Sequence, residues 1–472
     1  MNAPRHAPDM YPAAERAAPR STPMHPVRKR MPACGRAAGR GPGPPDFVTR
    51  SWKDAMRRAA HIALAAMWWM NARLAFGAGT PASRPAGRQS PPQVILAWDG
   101  TGRFGPQTPG TRTSGWQEAI DYCVEHALDL YVKGGWGGRK AVYHVQDTIR
   151  IPPTQDFRID GGIYVLNWTG PPDRPDKDLM VIDSTMNGEY HFGILVYGGA
   201  GAALRIRPER PVPIDGFPVF IETLIESQGL ADPNPFTPGE RKAGTGLVLE
   251  ATAAPITCSR FAFIGGILNF RTCVEASGRF TQNRFECLNL HTNAHNSAML
   301  RLGPECSQNT LRLAIGVDMG ATGVTGLSIA GRNNAIEVMT RGGFSAGRDL
   351  VLERPARGNR IDLLHFADRF EPLEFVTDEA DVPTNQLTWV GGQIAPRTVH
   401  VPAGRHVHTQ RLYPAAARVA QGLVTRLALV RDGQEIEYPP TSPMDILLGV
   451  ADQLVVESPS GADIRFVPFK AR

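Results

Sequence analysis

Apolar and polar residues alternate in short segments along the central part of the chain, and the alternation returns at a nearly constant interval. Each return begins with Asn or Ser and has a large apolar residue two positions later. The six pairs are Ser259/Phe261, Asn283/Phe285, Asn309/Leu311, Asn334/Ile336, Asn359/Ile361 and Asn385/Leu387. Their first members are 24, 26, 25, 25 and 26 residues apart. A repeat of this length predicts a solenoid whose turns stack on one another.

Within each repeat the period of the alternation is two, which is the period of a β-strand. We expect the apolar residues two and four places after each Asn or Ser to point inward. These are Phe261 and Phe263, Phe285 and Cys287, Leu311 and Leu313, Ile336 and Val338, Ile361 and Leu363, and Leu387 and Trp389. The positions between them would form an outward, mostly charged column. This column contains Ala262, Glu286, Arg312, Glu337, Asp362 and Thr388.

A coil of about 25 residues with short strands and no helical spacing predicts a parallel β-helix. Asn side chains stacked at a turn can hydrogen-bond from coil to coil, and Asn tolerates the left-handed backbone that such turns need. A β-sandwich or a propeller is the alternative, but sandwich turns are less evenly spaced and propeller blades need longer repeats.

Before the repeats, residues 116–128 (WQEAIDYCVEHAL) have helical spacing, with Thr113 or Ser114 available as a cap. Strands are predicted at 129–133, 142–151, 156–159 and 163–168. A helix at this point would cover the open end of the coil stack, where the first coil otherwise exposes unpaired backbone.

The segments WQEAID, LYVKGG, VYHVQDTIRIP and DFRIDGG together resemble the N-terminal region of the pectate-lyase-like superfamily, over residues 94–168. The resemblance implies a right-handed parallel β-helix and an activity on uronic-acid or other polysaccharides. Lys133-Gly134-Gly135 stands where that superfamily usually has a Pro-x-Gly turn. The chain also has neither the Asn-Thr-Asp, paired-Asp and Gly-His-Gly motifs of polygalacturonases nor the Arg-x-Pro-x-x-Arg motif of pectate lyases, so the reaction stays open.

Charge divides the chain into a basic head and a slightly acidic body. Residues 1–78 have 13 Lys and Arg against 4 Asp and Glu, a net +9, and the remaining 38 against 41 give −3. The body therefore predicts no nucleic-acid partner. The odd number of body cysteines favours buried free thiols over disulfides, with Cys123 on the apolar helix face and Cys287 inside a coil.

The chain divides into five predicted segments. Residues 1–55 form a disordered basic head, and 56–78 have the charged start, short apolar core and small-residue site of a signal peptide. We therefore expect translation to begin near Met56. The product would be secreted or periplasmic and would have no stable membrane span. The alternative is that residues 56–78 form a buried or membrane-surface helix. Residues 79–92 form a linker, 93–395 the β-helix, and 396–472 a small C-terminal β domain. In that domain, Asp432-Gly433 and Ser460-Gly461 predict hairpins, and oligomerisation is a further role.

Candidate chemistry comes from equivalent positions on neighbouring coils. Asp318 and Asp368 both lie nine residues after a repeat Asn, two coils and about 10 Å apart, near the separation of two carboxylates that invert a glycosidic linkage. Arg341 and His291 fall close to the same position and could hold the sugar. In a lyase, Arg341 would instead act as base or substrate partner, with an aspartate-bound cation. Trp136 is a candidate sugar platform, with packing against the cap helix as the alternative.

The sequence therefore predicts an all-β protein, a right-handed parallel β-helix with an N-terminal capping helix and a small C-terminal β domain. Its predicted partner is a polysaccharide, which it binds and, in the catalytic form of the hypothesis, cleaves as a glycoside hydrolase or polysaccharide lyase. The alternative is a non-catalytic adhesive or structural β-helix of the extracellular space. No structural metal spacing is found, and the sequence does not identify a cofactor.

Overall fold

The computed structural model describes residues 93–135, 141–210, 220–227, 244–292, 294–317, 321–341, 348–365, 369–370, 372–374, 385–390, 393–394, 396–410, 412–440 and 445–469. All of them belong to one compact unit of the chain. Within these residues the chain is built almost entirely of β-strands.

Two parallel sheets run along the repeats, and from residue 189 the chain passes alternately from one to the other. Sheet I contains Gln93–Ala97, Asp129–Lys133, Ala141–Val145, Arg158–Gly161, Tyr164–Trp168, Glu189–Tyr197, Phe220–Ser227, Arg260–Leu268, Arg284–Thr292, Thr310–Val317, Ala335–Arg341, Arg360–His365 and Gln386–Val390. Sheet II contains Ile149–Ile151, Met180–Ile182, Ala202–Ile206, Thr245–Thr257, Thr272–Thr281, Ala298–Leu302, Thr325–Ile329, Arg348–Leu352 and Pro372–Glu374. Two short parallel pairs are Thr154–Gln155 with Thr185–Met186 and Arg369–Phe370 with Gln393–Ile394. The predicted parallel β-helix is confirmed.

The repeated asparagines form a single buried ladder, as the sequence predicts. The Asn309 Oδ1 accepts hydrogen bonds from the Asn283 backbone N–H at 3.0 Å and from its Nδ2 at 3.1 Å. The Asn309 Nδ2 in turn donates to the Asn334 Oδ1 at 3.0 Å and to the Phe280 carbonyl oxygen at 2.9 Å. The same pattern continues to Asn359 and Asn385. The residue before the first five ladder positions has a left-handed backbone, at Cys258, Gln282, Gln308, Asn333 and Gly358.

All twelve residues predicted to point inward are buried. The predicted outward column is confirmed except at Ala262, which is only 5% exposed because it is a small side chain between longer neighbours. Four of the five body cysteines are buried free thiols, as predicted: burial raises the pKa of Cys123, Cys273, Cys287 and Cys306 to about 12. Cys258 is free but exposed, because it lies at the turn before the first ladder position.

The capping helix spans Trp116–Glu125 and ends three residues before the predicted boundary, because Ala127 takes a left-handed backbone with φ 52°. It begins after Gly115, and Thr113 supports its first turn by accepting a hydrogen bond from the Gln117 backbone N–H at 3.1 Å. The helix contacts the terminal strands of both sheets. Its Trp116 ring packs against the Tyr143 and Tyr164 rings, so it covers the core of the first coils.

One predicted strand, 142–151, is wrong as a single element. It is two strands, Ala141–Val145 and Ile149–Ile151, which belong to different sheets. The chain turns between them where the Asp147 Oδ1 accepts a hydrogen bond from the Thr148 backbone N–H at 2.9 Å. Short polar side chains commonly form turns in this way.

Eight antiparallel strands follow the coils. They are Arg397–Val401, Gly404–Thr409, Ala415–Gly422, Arg426–Arg431, Gln434–Tyr438, Ile446–Leu448, Gln453–Ser458 and Ala462–Pro468, in two four-stranded sheets. The hairpin predicted at Asp432-Gly433 is confirmed. The one at Ser460-Gly461 is wrong, because the strands on its two sides pair in different sheets. The segment before Ala415 closes the last coil, where the Leu387 backbone N–H donates to the Leu412 carbonyl oxygen at 2.9 Å.

Within the part of the chain that the structure describes, no helix combines the length and the apolar character needed to cross a membrane.

Candidate functional surface

Two columns of positions in sheet I, each aligned by the strand register, differ in chemistry. The charged column lies near the Asn ladder and contains His191, Glu222, Ala262, Glu286, Arg312, Glu337, Asp362 and Thr388, each paired in register with the next. The histidine column begins on Ala141–Val145 and Tyr164–Trp168 and then continues near the carboxyl ends of the strands that carry the charged column. It contains His144, Asn167, Val196, Glu226, Leu268, His291, Gly316 and Arg341, again in register.

Arginines pair with the carboxylates of the first column: Arg312 belongs to the column itself, whereas Arg284 and Arg360 stand two residues before Glu286 and Asp362 on the same strands. The Arg284 guanidinium lies 2.5 Å from the Glu286 carboxylate, and the Arg312 Nε lies 3.5 Å from the Glu337 carboxylate. The Arg360 Nε lies 3.0 Å from the Asp362 carboxylate. The Arg312 and Glu337 side chains are 57% and 47% exposed, so this pair contributes little to stability. The carboxylates at Glu286, Glu337 and Asp362 are therefore each paired with an arginine, and this part of the surface has little net charge that could attract a ligand.

The histidine column carries formal charge only at Glu226 and Arg341. Its side chains point outward where the structure describes them: Val196 and His291 are half-buried, whereas the residues on either side of each are buried. At the start of the column, the Asn167 Nδ2 lies 3.5 Å from the His144 Nδ1. The column therefore offers imidazole, amide and aliphatic groups at strand spacing.

The register places His291 and Arg341 in one column, as the sequence analysis expected. In the sequence they stand eight and seven residues after their ladder asparagines. A β-bulge between Cys287 and Leu290 inserts the additional residue into the strand of His291, so the two backbones fall in line. Gly316, which has no side chain, separates them. Their backbones are therefore about 10 Å apart, two strand spacings.

The other predicted site residues lie outside the described residues. Asp318, Asp368 and Trp136 are among them, and of Arg341 only the backbone is described. In the sequence, Asp318 directly follows the strand Thr310–Val317, and Asp368 follows Arg360–His365 by three residues. The two carboxylates therefore stay predictions.

Of the eight members of the histidine column, only His291 and Arg341 were predicted from the sequence, and the polar residues His144 and Asn167 at its start were not. They lie in the first coils, before the regular Asn repeat begins, so no repeat position identified them. The alternation in residues 141–145 and 164–168 could have placed them on the outward face, because both stand between buried residues.

A lysine and an aspartate also pair near the carboxyl ends of the first strands of sheet I. The Lys133 Nζ donates to the Asp99 Oδ2 at 2.8 Å and to the Thr101 Oγ1 at 2.9 Å. The hydrogen bond from Lys133 lowers the pKa of the Asp99 carboxyl to about 2. This pair involves the turn where the sequence departs from the Pro-x-Gly pattern.

Among the described residues, no group of three or more His, Cys, Asp or Glu side chains could hold a metal ion.

No protein-family model and no curated protein matches this sequence. Two solved structures are similar to it in part. One is a tailspike protein mutant of the Escherichia coli bacteriophage HK620 in complex with a hexasaccharide, with 9% identity and a TM-score of 0.29 over 79% of this chain and 93% of that chain. The other is the tailspike protein of the Acinetobacter phage vB_ApiP_P1, with 10% identity and a TM-score of 0.25 over 79% and 86%. Similarity at this level carries no argument about what this chain binds.

Proposed function

We propose that this protein is an exported β-helix that binds a polysaccharide along the histidine column. The observation that carries the proposal is the contrast between the two columns of sheet I, since one is occupied by ion pairs and the other is nearly uncharged. Sugars present hydroxyl groups and apolar C–H faces together, and sites for such ligands combine apolar side chains with a few fixed polar groups. The histidine column has this composition.

In the catalytic form of the proposal, Asp318 and Asp368 act as the acid and base of a hydrolase, and His291 and Arg341 hold the sugar. The shared column of His291 and Arg341 supports this arrangement, as does the equal offset of the two aspartates from their ladder asparagines. In an elimination, Arg341 would be the base or would pair with the substrate carboxylate. The resemblance to the pectate-lyase-like superfamily supports an acidic polysaccharide as the substrate.

A non-catalytic adhesive β-helix is the second candidate. The absence from the sequence of the polygalacturonase and pectate-lyase motifs favours it. An adhesive protein that binds the glycan at this surface would differ from the enzyme only in forming no product. A purely structural β-helix, the other form of this alternative, would not need to bind a glycan.

The test is a panel of acidic and neutral oligosaccharides incubated with the purified chain, with binding, new reducing ends and unsaturated products measured in parallel. We expect binding, and for the enzyme one kind of product: hydrolysis gives reducing ends without absorbance from a new double bond, whereas elimination gives both. Asp318→Asn and Asp368→Asn should each lower the rate at least about 100-fold, the usual contribution of an acid or base. Glu337→Gln in the charged column is the matched control and should change nothing.

Binding without any product would favour the adhesive candidate, and no binding to any glycan would contradict the proposal. Export and oligomerisation are separate parts of it. Export predicts a mature chain that begins near Gly79, and N-terminal sequencing of the natural product tests this. Deleting residues 396–472 should dissociate any oligomer, as measured by light scattering.

A further inference from the structure

The turn that follows the strand of His291 lies against the turn of the next coil. Residues 294–297 connect Arg284–Thr292 in sheet I to Ala298–Leu302 in sheet II. The Asn296 backbone N–H donates to the Thr322 carbonyl oxygen at 2.8 Å. Gly323 in the second turn has a left-handed backbone with φ 69°, a conformation that favours glycine.

The buried hydroxyl groups of Thr292 and Ser297 stabilise the backbone of this turn. The Thr292 side chain is fully buried, and its Oγ1 accepts a hydrogen bond from the Ala294 backbone N–H at 3.0 Å. The Ser297 Oγ lies 2.8 Å from the Ala294 carbonyl oxygen and 3.3 Å from the Thr292 Oγ1. Such contacts fix the backbone, so a side chain on this turn is presented in a defined position.

His295 lies on this turn, and Thr322 determines which ring nitrogen of His295 carries the proton. The Thr322 backbone N–H donates to the His295 Nδ1 at 3.0 Å, and the Thr322 Oγ1 lies 3.1 Å from the same nitrogen. A backbone N–H can only donate, so the Nδ1 must have a lone pair. In a neutral imidazole the proton is then on the Nε2.

From this geometry we infer that His295 is a glycan-binding residue, which donates its Nε2–H to a hydroxyl or carboxylate oxygen of the sugar. Among the described residues, this nitrogen has no hydrogen-bond partner, whereas the Nδ1 has two. His295 is half-buried and lies four residues after His291. The inference rests on the proposed function and adds a residue to it. A donor held in one direction loses little conformational entropy when the ligand binds.

If His295 were purely structural, it would support the turn through its Nδ1 and donate nothing to a glycan. Two substitutions separate support of the turn from donation by the Nε2–H. In His295→Asn the side-chain oxygen can take the place of the Nδ1 and accept from Thr322, but the Nε2–H is lost. In His295→Gln the terminal amide can take the place of the Nε2–H, but the support of the turn is lost. We expect His295→Asn to keep the unfolding midpoint and to weaken binding about fivefold to tenfold, the loss of one hydrogen bond. His295→Gln should lower the midpoint and bind more tightly than His295→Asn.

The experiment titrates the full chain and both variants with a uronic-acid oligosaccharide and a neutral oligosaccharide from the panel. His400→Asn, a histidine substitution in the C-terminal strands, is the control and should bind as the wild type. If the wild type binds and His295→Asn binds equally well, the inference is overturned while the proposed function stands. If the wild type binds neither probe nor any other glycan of the panel, the proposed function fails, and the inference fails with it.

A second measurement does not depend on glycan binding. In a nitrogen-15 NMR spectrum of the full chain, the neutral form of the His295 ring should carry its proton on the Nε2. A proton on the Nδ1 would overturn the inference directly.

Discussion

The two halves of the sheet I strands follow the same repeat but differ in chemistry. Near the Asn ladder, the side chains are either buried in hydrogen-bonded rows or paired by charge at the surface. Beyond the bulge, the outward positions are nearly uncharged and vary from coil to coil. A solenoid must repeat the half that joins its coils, whereas the other half can change without breaking the stack. We therefore expect stability to depend on the first half and ligand binding on the second.

The largest effect should come from the ladder. Asn309→Ala removes the side chain that accepts from Asn283 and donates to Asn334 and Phe280, and it leaves these groups buried without their partner. Since each unsatisfied buried group costs roughly 1–3 kcal/mol, we expect a loss of about 3 kcal/mol in the free energy of unfolding, measured with denaturant.

Gln308→Ala is the matched control, because the adjacent Gln308 side chain is exposed and, within the described part of the chain, accepts a hydrogen bond from the Gln282 side chain alone. A ladder substitution no more destabilising than this control would show that the ladder does not hold the coils together.

The strand halves next to the Asn ladder could be predicted from the sequence, because the contacts that join the coils must repeat. An Asn that must bond to the Asn of the next coil recurs at a fixed interval, and an inward residue such as Phe285 must be apolar, so both leave a period in the sequence. The bulge in the second half shifts the register by one residue, which made His291 and Arg341 differ in position although they share a column. The direction of the His295 ring depends on Thr322, 27 residues away, and no local pattern encodes it.

Substitutions in the histidine column should change glycan affinity and leave the free energy of unfolding nearly unchanged. Val196→Glu places a carboxylate on the histidine column, where it must lose water when a sugar binds and would repel an acidic glycan. We expect glycan affinity to fall at least about tenfold, equivalent to 1.4 kcal/mol. Titration calorimetry with the bound oligosaccharide measures the change.

Val196→Thr keeps the shape of the side chain without a charge and should bind within about twofold of the wild type, a difference of less than 1 kcal/mol. Unchanged affinity in Val196→Glu, with a normal unfolding midpoint, would place the glycan elsewhere on the molecule.

A smaller effect, which should disappear in acid, is expected from the pair Asp99–Lys133. The hydrogen bond from Lys133 lowers the pKa of Asp99 from 3.8 to about 2. A lowered carboxyl pKa in the folded state stabilises the protein above the ordinary pKa, and this stabilisation is lost as the pH falls through the folded value. Lys133→Met should therefore be less stable than the wild type above pH 4. The difference should close as the pH approaches 2.

Denaturant unfolding at a series of pH values tests this expectation. In an Asp99→Asn background, the effect of Lys133→Met should not depend on pH over this range, because the titrating group is absent. A stability difference between wild type and Lys133→Met that persists below pH 2 would mean that Lys133 acts through other contacts.

The smallest effect should come from the charged column. The Arg312 Nε and the Glu337 carboxylate are 3.5 Å apart and both side chains are largely exposed, so water and salt screen their attraction. A double-mutant cycle with Arg312→Ala and Glu337→Ala should give a coupling of about 0.5 kcal/mol or less, which decreases further in high salt. Neither single substitution should change glycan binding. A coupling above about 2 kcal/mol would show that ion pairs, and not only the ladder and the core, hold neighbouring coils together. The charged column would then contribute to stability as the ladder does, contrary to the small contribution expected of it here.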